Sequence, residues 1–454
     1  MKQFDVAVIG GGILGCFAAR NLRRYAISTV LIEAEADVCT GITRANSAIV
    51  YAGYDNKPDS LKAELTVCGN AGFDALCAEL EVPFSRCGSL MVSCDAESDR
   101  VLEKKLRQGQ ANHVPGLRLL SGDEARAMEP MLTDRVTSAL YAPTTGTVNP
   151  WQLGIAAYEN ARQNGCEVLL HTAVTEIVQE NGKYRLDTTE GEICCSMVLN
   201  CAGANADRIQ ELLFPPSVRL ELDGADYLVL DSRAEKPAHV IFHQAGPCGK
   251  GITAIPCTEG NLLLSGSRRL QTVPYATTQA GLTALTERAQ ALLPELDLSA
   301  VIRSFGALRP NPHRVVEKNG EYIPDGTGIG SFCIDNPAPG FYSLIGIKTP
   351  GLTCANELGL LLAGYAADHL HAAPNPDFDP HRPAISASED DEILCLCQTV
   401  TKGQVLEAIR RGAVSVDGVK RRTGCAMGRC QGGRCTQRIE ELLGIAGQPV
   451  RGSL

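Results

Sequence analysis

The chain opens with two apolar segments that flank a stretch of helical period. Phe4–Ile9 is an apolar, β-rich run of the kind found in a strand buried on both faces. Apolar side chains then recur at Leu14, Ala18 and Leu22, which is the spacing of an α-helix. A second short apolar run, Thr29–Ile32, follows. The pattern predicts a strand, a helix and a second strand.

Glycines occupy the turn between the first strand and the helix. Gly10, Gly12 and Gly15 form the pattern G-x-G-x-x-G. The first permits a tight turn, the second lets the backbone approach a pyrophosphate, and the third lets the helix pack closely on the strand. Glu33, at the end of the second strand, can accept hydrogen bonds from a ribose. Together they predict a dinucleotide-binding fold. The alternative, a glycine-rich turn in an ordinary α/β domain, is not expected to have this full context.

A polar segment at 41–56 has little amphipathic period. Its Thr43, Asn46 and Ser47 have hydroxyl and amide groups that can wrap the phosphates and the sugar-like chain of a bound cofactor. The alternative is a solvent-exposed loop. The apolar stretch AIVYAGY within this segment favours the first interpretation, because a purely exposed loop is less apolar.

Residues 60–132 alternate between helical and strand patterns without a second nucleotide fingerprint. Apolar spacing predicts helices at 60–80, 95–112 and 121–132 and a strand at 87–94. Ser121 and Glu124 have the spacing of a capping box at the start of the third helix. We assign the part from residue 81 onward to a substrate domain inserted into the dinucleotide-binding domain.

The segments after residue 144 belong to the same two domains. Residues 145–178 read as a turn, a helix and a strand, and 198–209 as a strand that ends at Ala202-Gly203, where a second backbone approach to the dinucleotide is expected. Alternating apolar patches over 215–325 predict an antiparallel sheet with a glycine loop carrying Lys250.

The elements predicted after residue 280 complete the fold. A helix is expected at 281–293, and a strand at 304–315 running into Arg309-Pro310. The segment 340–370 predicts a strand that ends at Ile345, a loop from Gly346 to Pro350, and a long apolar helix that begins near Gly351. The prolines of 373–383 indicate a linker or a strapped extended segment.

The predicted fold class is α/β. It comprises a Rossmann-like dinucleotide-binding domain, an inserted α+β substrate domain built on an antiparallel sheet, and a small helical C-terminal domain rich in cysteine. The predicted boundaries are 1–80, 145–214 and 326–372 for the first domain, 81–144 and 215–325 for the second, 373–392 for the linker and 393–454 for the third.

Composition and charge argue against several classes of partner and location. The net charge of −10 over 454 residues argues against nucleic acid as a partner. No apolar stretch approaches the roughly 20 residues of a membrane helix. Because the first strand begins at Phe4, no signal peptide is expected, and we expect a cytoplasmic protein. From Cys395 onward ten Lys and Arg face four Asp and Glu, which suggests a separate module with its own partner.

The 19 cysteines fall into two groups. Fourteen are scattered before residue 390, and most are expected to be small core residues. Five are concentrated in the last segment: Cys395, Cys397, Cys425, Cys430 and Cys435. Four thiolates suit zinc or an iron–sulfur cluster, and the context of a redox domain favours the cluster. Glycines near Cys430 let backbone N–H groups point at sulfur, and the surrounding basic residues are expected to offset an anionic cluster: Lys420, Arg421, Arg422, Arg429 and Arg434.

Several stretches together resemble one family. The family is that of the D-amino-acid-oxidase-like flavoenzymes, and within it the chain is most similar to the branch of glycerol-3-phosphate and L-2-hydroxyglutarate dehydrogenases. The stretches that carry this resemblance are the fingerprint GGGILG with IEAE, then TRANSAIVYAGYDNKPDSLK, LRPNPHR and GIKTPGLTCANELG. The tail resembles the [2Fe–2S] domain of the bacterioferritin-associated-ferredoxin type, found at the end of the anaerobic glycerol-3-phosphate dehydrogenase large subunit. The resemblance implies FAD as the dinucleotide and Cys395, Cys397, Cys430 and Cys435 as cluster ligands.

The resemblance also implies residue roles. Arg309 would clamp the anionic group of the substrate, and Lys348 would face the N1 and O2 edge of the flavin. His243 or His239 would take the substrate hydroxyl proton. The implied FAD contacts are Gly10, Gly12, Ile13, Leu14, Gly15, Glu33, Ala34, Thr43, Asn46, Ser47, Val174, Ala202, Gly203, Gly346, Lys348, Gly351, Leu352 and Thr353.

Two positions depart from the family. Tyr51, a further catalytic candidate, stands where relatives commonly have His, and its phenol titrates near a pKa of about 10. Arg268 and Arg269 stand where an acidic run is expected and would enlarge or recharge the pocket, or be exposed. These differences leave the substrate open within the family.

The expected function is an FAD-dependent dehydrogenase that oxidises a small anionic 2-hydroxy compound resembling glycerol 3-phosphate. Electrons would leave through the cluster to an acceptor protein or second subunit, through which the chain would associate with a membrane. The alternatives are a 2-hydroxyacid such as L-2-hydroxyglutarate, an amine or imino acid, and, in another class, a non-catalytic electron-transfer or redox-sensing subunit.

Overall fold

The computed structural model describes residues 2–244, 251–270, 275–382 and 389–444. Lys250 and the side chains of Arg268 and Arg269, singled out from the sequence, lie outside the described residues. The strands in chain order are β1 Lys2–Ile9, β2 Thr29–Ile32, β3 Ile49–Val50, β4 Phe84–Ser85, β5 Ser89–Ser93, β6 Arg118–Ser121, β7 Ser138–Ala142, β8 Gly146–Val148, β9 Glu167–Leu169, β10 Val174–Glu180, β11 Lys183–Thr188, β12 Gly191–Asn200, β13 Val218–Leu230, β14 Val240–His243, β15 Thr253–Pro256, β16 Leu262–Leu270, β17 Val301–Lys318, β18 Glu321–Gly328, β19 Cys333–Ala338, β20 Phe341–Ile345, β21 Ile393–Cys395 and β22 Val400–Thr401.

Helices connect and cover these strands. They are α1 Ile13–Leu22, α2 Leu61–Glu79, α3 Ala96–Ala111, α4 Gly122–Met128, α5 Pro150–Gln163, α6 Ala206–Glu211, α7 Gln279–Leu292, α8 Ala355–Leu370, α9 Lys402–Arg410, α10 Val416–Thr423 and α11 Thr436–Leu443. Short 3₁₀ turns lie at Ile42–Arg44, Gly203–Asn205 and Leu298–Ala300. The capping box expected at Ser121 and Glu124 is formed at the start of α4.

The first sheet has a parallel centre. β1 lies between β2 and β12, β9 continues the parallel order beyond β2, and β20 pairs in parallel with the end of β12. β10 and β11 add an antiparallel extension to β12, and β19 pairs antiparallel with β20. The buried run of β1 followed directly by α1 is the predicted Rossmann-like unit, and the predicted α/β fold class is confirmed.

Helix α1 is packed between α5 and α8 on one face of this sheet. Its apolar side chains belong to the largest core cluster of the protein. Arg20, on the same helix, is fully buried and donates to Glu79 of α2 at 2.7 Å and to Asn160 of α5 at 3.0 Å. Because a buried charge is costly without partners, these bonds fix the helix against its neighbours.

The second sheet has nine strands in the order β18-β17-β13-β16-β15-β14-β5-β7-β6. All neighbours are antiparallel except β14 and β5, which are parallel. Strands from 89–142 and from 218–328 therefore share one sheet, and α7 packs on it. A small sheet of β3, β8 and β4 lies beside the polar segment at 41–56. The exact domain boundaries stay a prediction.

Two elements differ in extent from the sequence-based prediction. β17 runs through Arg309-Pro310, as predicted for 304–315, but extends from Val301 to Lys318. Pro310 and Pro312 are tolerated because β17 pairs only with β13 there, and β18 meets it from His313 onward. α8 begins at Ala355 rather than near Gly351, since the Gly351 N–H bonds to the Lys348 carbonyl in a tight turn.

The proline-rich segment is strapped to the first domain as far as residue 382. Asn375 N–H donates to the Arg24 carbonyl at 2.7 Å, and Arg382 Nε donates to Glu159 at 2.8 Å. The C-terminal domain then forms its own small core from β21, β22 and α9–α11, with three of its cysteines buried inside. Of the two interpretations of this segment, the strapped one holds for the described part.

Candidate active site and cysteine cluster

One large cavity, of about 1520 Å³, runs from the glycine turn of α1 to the second sheet. Its walls come from both sheets and from the C-terminal domain. Most residues implied as FAD contacts line it: Gly10, Gly12, Ile13, Leu14, Glu33, Ala34, Thr43, Asn46, Ser47, Val174, Ala202, Gly203, Lys348, Gly351 and Leu352. Their roles toward FAD stay predictions, but the structure brings them to one elongated space.

The glycine turn can form and pack only because two of its glycines have no side chain. Gly10 has φ +102°, and a Cβ there would lie 2.7 Å from the Cys201 carbonyl oxygen. A Cβ on Gly15 would lie 1.8 Å from the Gly10 carbonyl oxygen. At Gly12 the nearest atom to such a Cβ is Thr43 Oγ1 at 3.6 Å, so this position faces the cavity. The turn therefore fits a pyrophosphate that approaches the backbone closely.

Glu33 is held in place at the end of β2. Its Oε2 accepts the Gly11 N–H at 2.6 Å and its Oε1 accepts the Glu35 N–H at 2.9 Å. Burial raises the pKa of Glu33, and the backbone hydrogen bonds from Glu35 and Gly11 oppose this rise. A carboxylate has about four acceptor positions, so this fixed side chain keeps acceptor capacity toward a ribose in the cavity.

The polar segment at 41–56 lines the cavity and is anchored to α1. Thr43 is buried, and its Oγ1 accepts the Ile13 N–H at 3.0 Å. Asn46 Nδ2 donates to the Thr43 carbonyl at 2.9 Å, and its Oδ1 accepts the Ala48 N–H at 2.7 Å. The interpretation as a purely exposed loop is therefore wrong.

The far end of the cavity collects cationic and phenolic groups. Arg309 of β17, Lys348, Tyr51 and Tyr227 all line it. Lys348 Nζ donates to Asn311 Oδ1. Burial raises the pKa of Tyr51, opposed in part by hydrogen bonding with Ser47 and by the Arg309 charge. Burial likewise raises the pKa of Tyr227.

Four predicted residues do not line the cavity. Gly15 packs on the glycine turn, Gly346 packs on Pro312, and Thr353 is buried, where its Oγ1 accepts the Tyr51 N–H at 2.9 Å. His243 lies at the end of β14; burial lowers its pKa, and its charged neighbours are Asp95 and Arg135. Because His243 is not among the residues that line the cavity, its role as the base stays a prediction.

His239 is also outside the cavity. Its Nδ1 lies 2.6 Å from Glu129 Oε1, and that same oxygen accepts its backbone N–H at 2.7 Å. The ring stacks edge-on against Tyr141. Both histidines proposed as the base thus lie outside the cavity lining, among other residues of the second domain.

Sequence reasoning missed that the C-terminal domain closes one end of the cavity. Ser415, Lys420 and Arg421 line it, together with Asp37 from the segment after β2. Asp37 Oδ2 accepts from Arg421 at 2.7 Å and from Arg422 at 2.7 Å, while Oδ1 accepts from Arg422 at 2.9 Å. Arg421 and Arg422 therefore pair with Asp37, and the expectation that the basic residues offset the charge of the cluster stays a prediction.

The five C-terminal cysteines come together in space. Cys397 and Cys430 have their sulfur atoms 3.5 Å apart. The sulfur atoms of Cys395, Cys425 and Cys435 all lie within 4.8 Å of one another, and these residues are buried. The hydrogen bond with Cys397 and those from the backbone N–H groups of Gly432 and Arg434 lower the pKa of Cys430. Clustered soft thiols with N–H groups directed at one sulfur fit an iron–sulfur cluster.

Comparison with known proteins identifies the class. Residues 5–365 match the family described as FAD dependent oxidoreductase, and residues 393–444 match the BFD-like [2Fe-2S] binding domain. The first match covers most of the chain, so the protein belongs to the FAD-dependent oxidoreductase family and is an enzyme. FAD and a [2Fe–2S] cluster are its cofactors, as the glycine turn and the clustered thiols independently fit.

Individual relatives narrow the similarity. The chain is 36% identical to glycerol 3-phosphate dehydrogenase of Caloramator mitchellensis over 469 residues, covering 97% of this chain and 94% of the relative. It is 33% identical to human mitochondrial L-2-hydroxyglutarate dehydrogenase over 244 residues, which is 50% of this chain and 52% of the relative. The resemblance inferred from the sequence motifs is confirmed.

Solved structures support the same fold. The L-alpha-glycerophosphate oxidase of Mycoplasma pneumoniae, solved with FAD bound, superposes with a TM-score of 0.73 at 22% identity, covering 84% of this chain and 99% of the other. At this identity the likeness establishes the fold alone. Among the helices of the described ranges, none combines the length and apolar character needed to cross a bilayer.

Proposed function

We propose that the enzyme oxidises glycerol 3-phosphate, or an anionic 2-hydroxy compound very like it, and passes the electrons through the cluster to an acceptor protein or second subunit. The observation that carries this proposal is that Arg309 and Lys348 line the same cavity as Tyr51 and Tyr227, and that Lys348 Nζ donates to Asn311, two residues along β17 from Arg309. Two cations suit a phosphate dianion better than a neutral alcohol or a zwitterionic amino acid. The relative matched over almost the whole chain has the same named substrate.

Arg309 would bind the anionic group through its guanidinium fork. It stands on β17, paired in register with Asp223 of β13, so its backbone is fixed by the sheet. In place of the flavin-facing role that the resemblance implies, Lys348 would add a second positive charge to this anion site, and its bond to Asn311 Oδ1 of β17 orients the ammonium. The Arg309 backbone and the Lys348 ammonium thus have fixed partners on β13 and β17 before a substrate arrives, which lowers the entropic cost of binding.

Tyr51 would act as a hydrogen-bond donor rather than a base. Burial raises the pKa of this phenol above its ordinary value, so Tyr51 Oη keeps its proton at neutral pH. The adjacent Tyr227 has a raised pKa for the same reason. These two donors would orient substrate oxygens between them. Neither His239 nor His243 lines the cavity, so we assign the role of proton acceptor to neither of them.

When bound, FAD supplies a hydride acceptor and the [2Fe–2S] cluster supplies one-electron transfer. Gly12, Glu33 and Thr43 would hold the dinucleotide along the wall of the cavity. The C-terminal domain is held against both other domains: Arg422 bonds to Asp37 of the first, and Arg303 of the second donates to Gln431 beside Cys430 at 3.3 Å. This docking supports an electron path that leaves the flavin through the cluster.

An anaerobic titration tests the proposal. Glycerol 3-phosphate should bleach the flavin absorption band and then develop the electron paramagnetic resonance signal of a reduced [2Fe–2S] cluster. Glycerol, which lacks the phosphate, is the matched control and should bleach at least a hundredfold more slowly at equal concentration. Bleaching by glycine or proline, with none by glycerol 3-phosphate, would reject the proposed substrate class.

L-2-Hydroxyglutarate is the second candidate. The similarity to the human enzyme at 33% identity over half of this chain favours it, since that protein is named for this substrate. A dicarboxylate would also satisfy two cations. Comparing the two compounds at equal concentration in the same titration decides between them by the rate of bleaching.

A further inference from the structure

The five thiols of the C-terminal domain are divided unequally. One group is a pair, Cys397 and Cys430, with sulfur atoms 3.5 Å apart. The other is a triangle of three, Cys395, Cys425 and Cys435, with sulfur atoms within 4.8 Å of one another. All three members of the triangle are buried in the core of the domain.

Cluster chemistry gives this division a meaning. A [2Fe–2S] cluster has four thiolate ligands, two on each iron. With tetrahedral geometry and metal–sulfur bonds of about 2.3 Å, two thiolates on one metal lie about 3.8 Å apart. The separation of Cys397 and Cys430 therefore suits two ligands of a single iron. The triangle then offers three thiols for the two positions on the other iron.

The local structure holds Cys425 in the triangle. The residue follows α10, whose last turn is closed by Gly424 at φ +74°. Its N–H donates to Thr423 Oγ1 at 3.1 Å, which directs the side chain inward. Cys395 ends β21 and Cys435 precedes α11, so the three sulfur atoms come from three separate elements around one point.

We propose that Cys425 is an exchangeable ligand of the second iron, able to replace Cys395 or Cys435, whereas Cys397 and Cys430 have no substitute. The inference rests on the proposed ligand set of the cluster. The exchange is thiolate for thiolate: an iron–sulfur bond to Cys425 forms as the bond to Cys395 or Cys435 breaks. The Cys425 proton passes to the displaced sulfur, and no electron is gained or lost.

Alanine variants of the full-length protein, purified anaerobically, test this asymmetry. C395A and C435A should each retain about two irons and two acid-labile sulfides per chain, with a shifted electron paramagnetic resonance spectrum after dithionite reduction. C397A and C430A should lose the cluster. The double variants C395A/C425A and C435A/C425A should lose it as well, because the substitute ligand is gone.

A second measurement does not depend on removing a primary ligand. C425A should start with the same iron content as the unaltered protein but release iron to a chelator several times faster, since an opened bond can no longer be replaced. C77A, which removes a buried thiol of α2 that belongs to a different core cluster from the C-terminal cysteines, is the matched control and should release iron at the original rate.

The inference is overturned if C395A and C435A lose iron as completely as C397A while still retaining FAD and the original far-ultraviolet circular dichroism. It is equally overturned if C425A and the unaltered protein release iron at the same rate. These readouts are separate from turnover: an unaltered protein without a reducible cluster would reject the proposed electron path, whereas a reducible cluster without exchange would reject only the role of Cys425.

Discussion

Asp37 and Arg422 face each other across the boundary between the first and third domains with two parallel hydrogen bonds. Arg422 donates to Oδ2 at 2.7 Å and to Oδ1 at 2.9 Å, and both side chains are buried. Arg421 adds a third bond to the same carboxylate. The basic C-terminal module therefore has a partner inside its own chain, in the acidic remainder, which the charge asymmetry of the sequence indicated only as a general possibility.

Asp37→Asn tests how strongly this contact holds the domains together. Removing one member of a buried ion pair leaves the other charge uncompensated, and the expected loss is about 3 kcal/mol in the free energy of unfolding. Because Asp37 and Arg421 also line the cavity, FAD should dissociate more readily from the variant. Urea unfolding and fluorescence of released FAD measure the two effects.

The matched control for that variant is Asp187→Asn. Asp187 also pairs with an arginine, Arg185, but both side chains are more than a quarter exposed. Surface pairs contribute about 0–1 kcal/mol, so stability and FAD retention should hardly change. Equal losses in the two variants would contradict the view that the buried contact secures the C-terminal domain.

The same contact predicts a pH dependence. Burial alone would raise the pKa of Asp37, but the hydrogen bonds and charges of Arg422 and Arg421 lower it below its ordinary value. A carboxyl with a lowered pKa in the folded state contributes stability above its unfolded pKa of about 3.9, and this contribution is lost as the pH falls further. The difference in unfolding free energy between the unaltered protein and D37N should be constant from pH 7 to about pH 5 and shrink toward pH 3. A difference that persists or grows at pH 3 would contradict the assignment.

Local patterns predicted the parts of the site that depend on neighbouring residues. The spacing of Gly10, Gly12 and Gly15 identifies the turn from local sequence alone, although the close contact of Gly10 is with the Cys201 carbonyl oxygen, far along the chain. The capping box of Ser121 and Glu124 is local in its contacts as well, since it closes over three residues. The position of α8 was wrong by four residues, since the turn at Gly351 satisfies its N–H without a helix.

Long-range contacts could not be predicted in this way. Asp37 and Arg422 are separated by 385 residues, and nothing local to either position indicates the other. The same limit applies to the basic residues near the cysteines, because two of them, Arg421 and Arg422, bond to Asp37, and the sequence does not indicate this contact. The position of His243 depends on the tertiary structure in the same way, since only the pairing of β14 with β5 and β15 places this strand in the second sheet.

Gly15→Ala tests the close packing of α1 on the glycine turn. The added Cβ would lie 1.8 Å from the Gly10 carbonyl oxygen, which is backbone and cannot turn aside. The variant should purify without FAD and unfold at a temperature lower by about 10 °C, because the helix must move away from β1. Absorbance of the purified protein and thermal unfolding measure both.

Gly72→Ala is the control for that substitution. Gly72 lies in α2, is exposed, and would have no atom within 4 Å of an added Cβ. Alanine has a higher helix propensity by about 1 kcal/mol, so this variant should retain FAD and be slightly more stable. If G15A also retained FAD, the glycine turn would not be the part of the cavity that limits binding.

Arg309→Gln tests the anion site, and the phosphate of the substrate supplies an internal control. Loss of a guanidinium that binds an anion in a closed cavity is expected to cost about 2–5 kcal/mol, so kcat/KM for glycerol 3-phosphate should fall by at least thirtyfold. Activity toward neutral glycerol, although low, should change little because it has no group for Arg309 to bind. The kcat/KM of R309K for glycerol 3-phosphate should lie between the values of the unaltered protein and R309Q, since lysine keeps the positive charge but lacks the guanidinium fork.

Arg314→Gln separates this effect from a general disturbance of β17. Arg314 lies on the same strand, is exposed, and does not line the cavity. Its replacement should leave kcat/KM for both compounds unchanged. An R309Q variant that lost activity toward glycerol and glycerol 3-phosphate in equal proportion, with R314Q intact, would mean that Arg309 supports the reaction without recognising the phosphate, and the anionic substrate class would then have to rest on Lys348 alone.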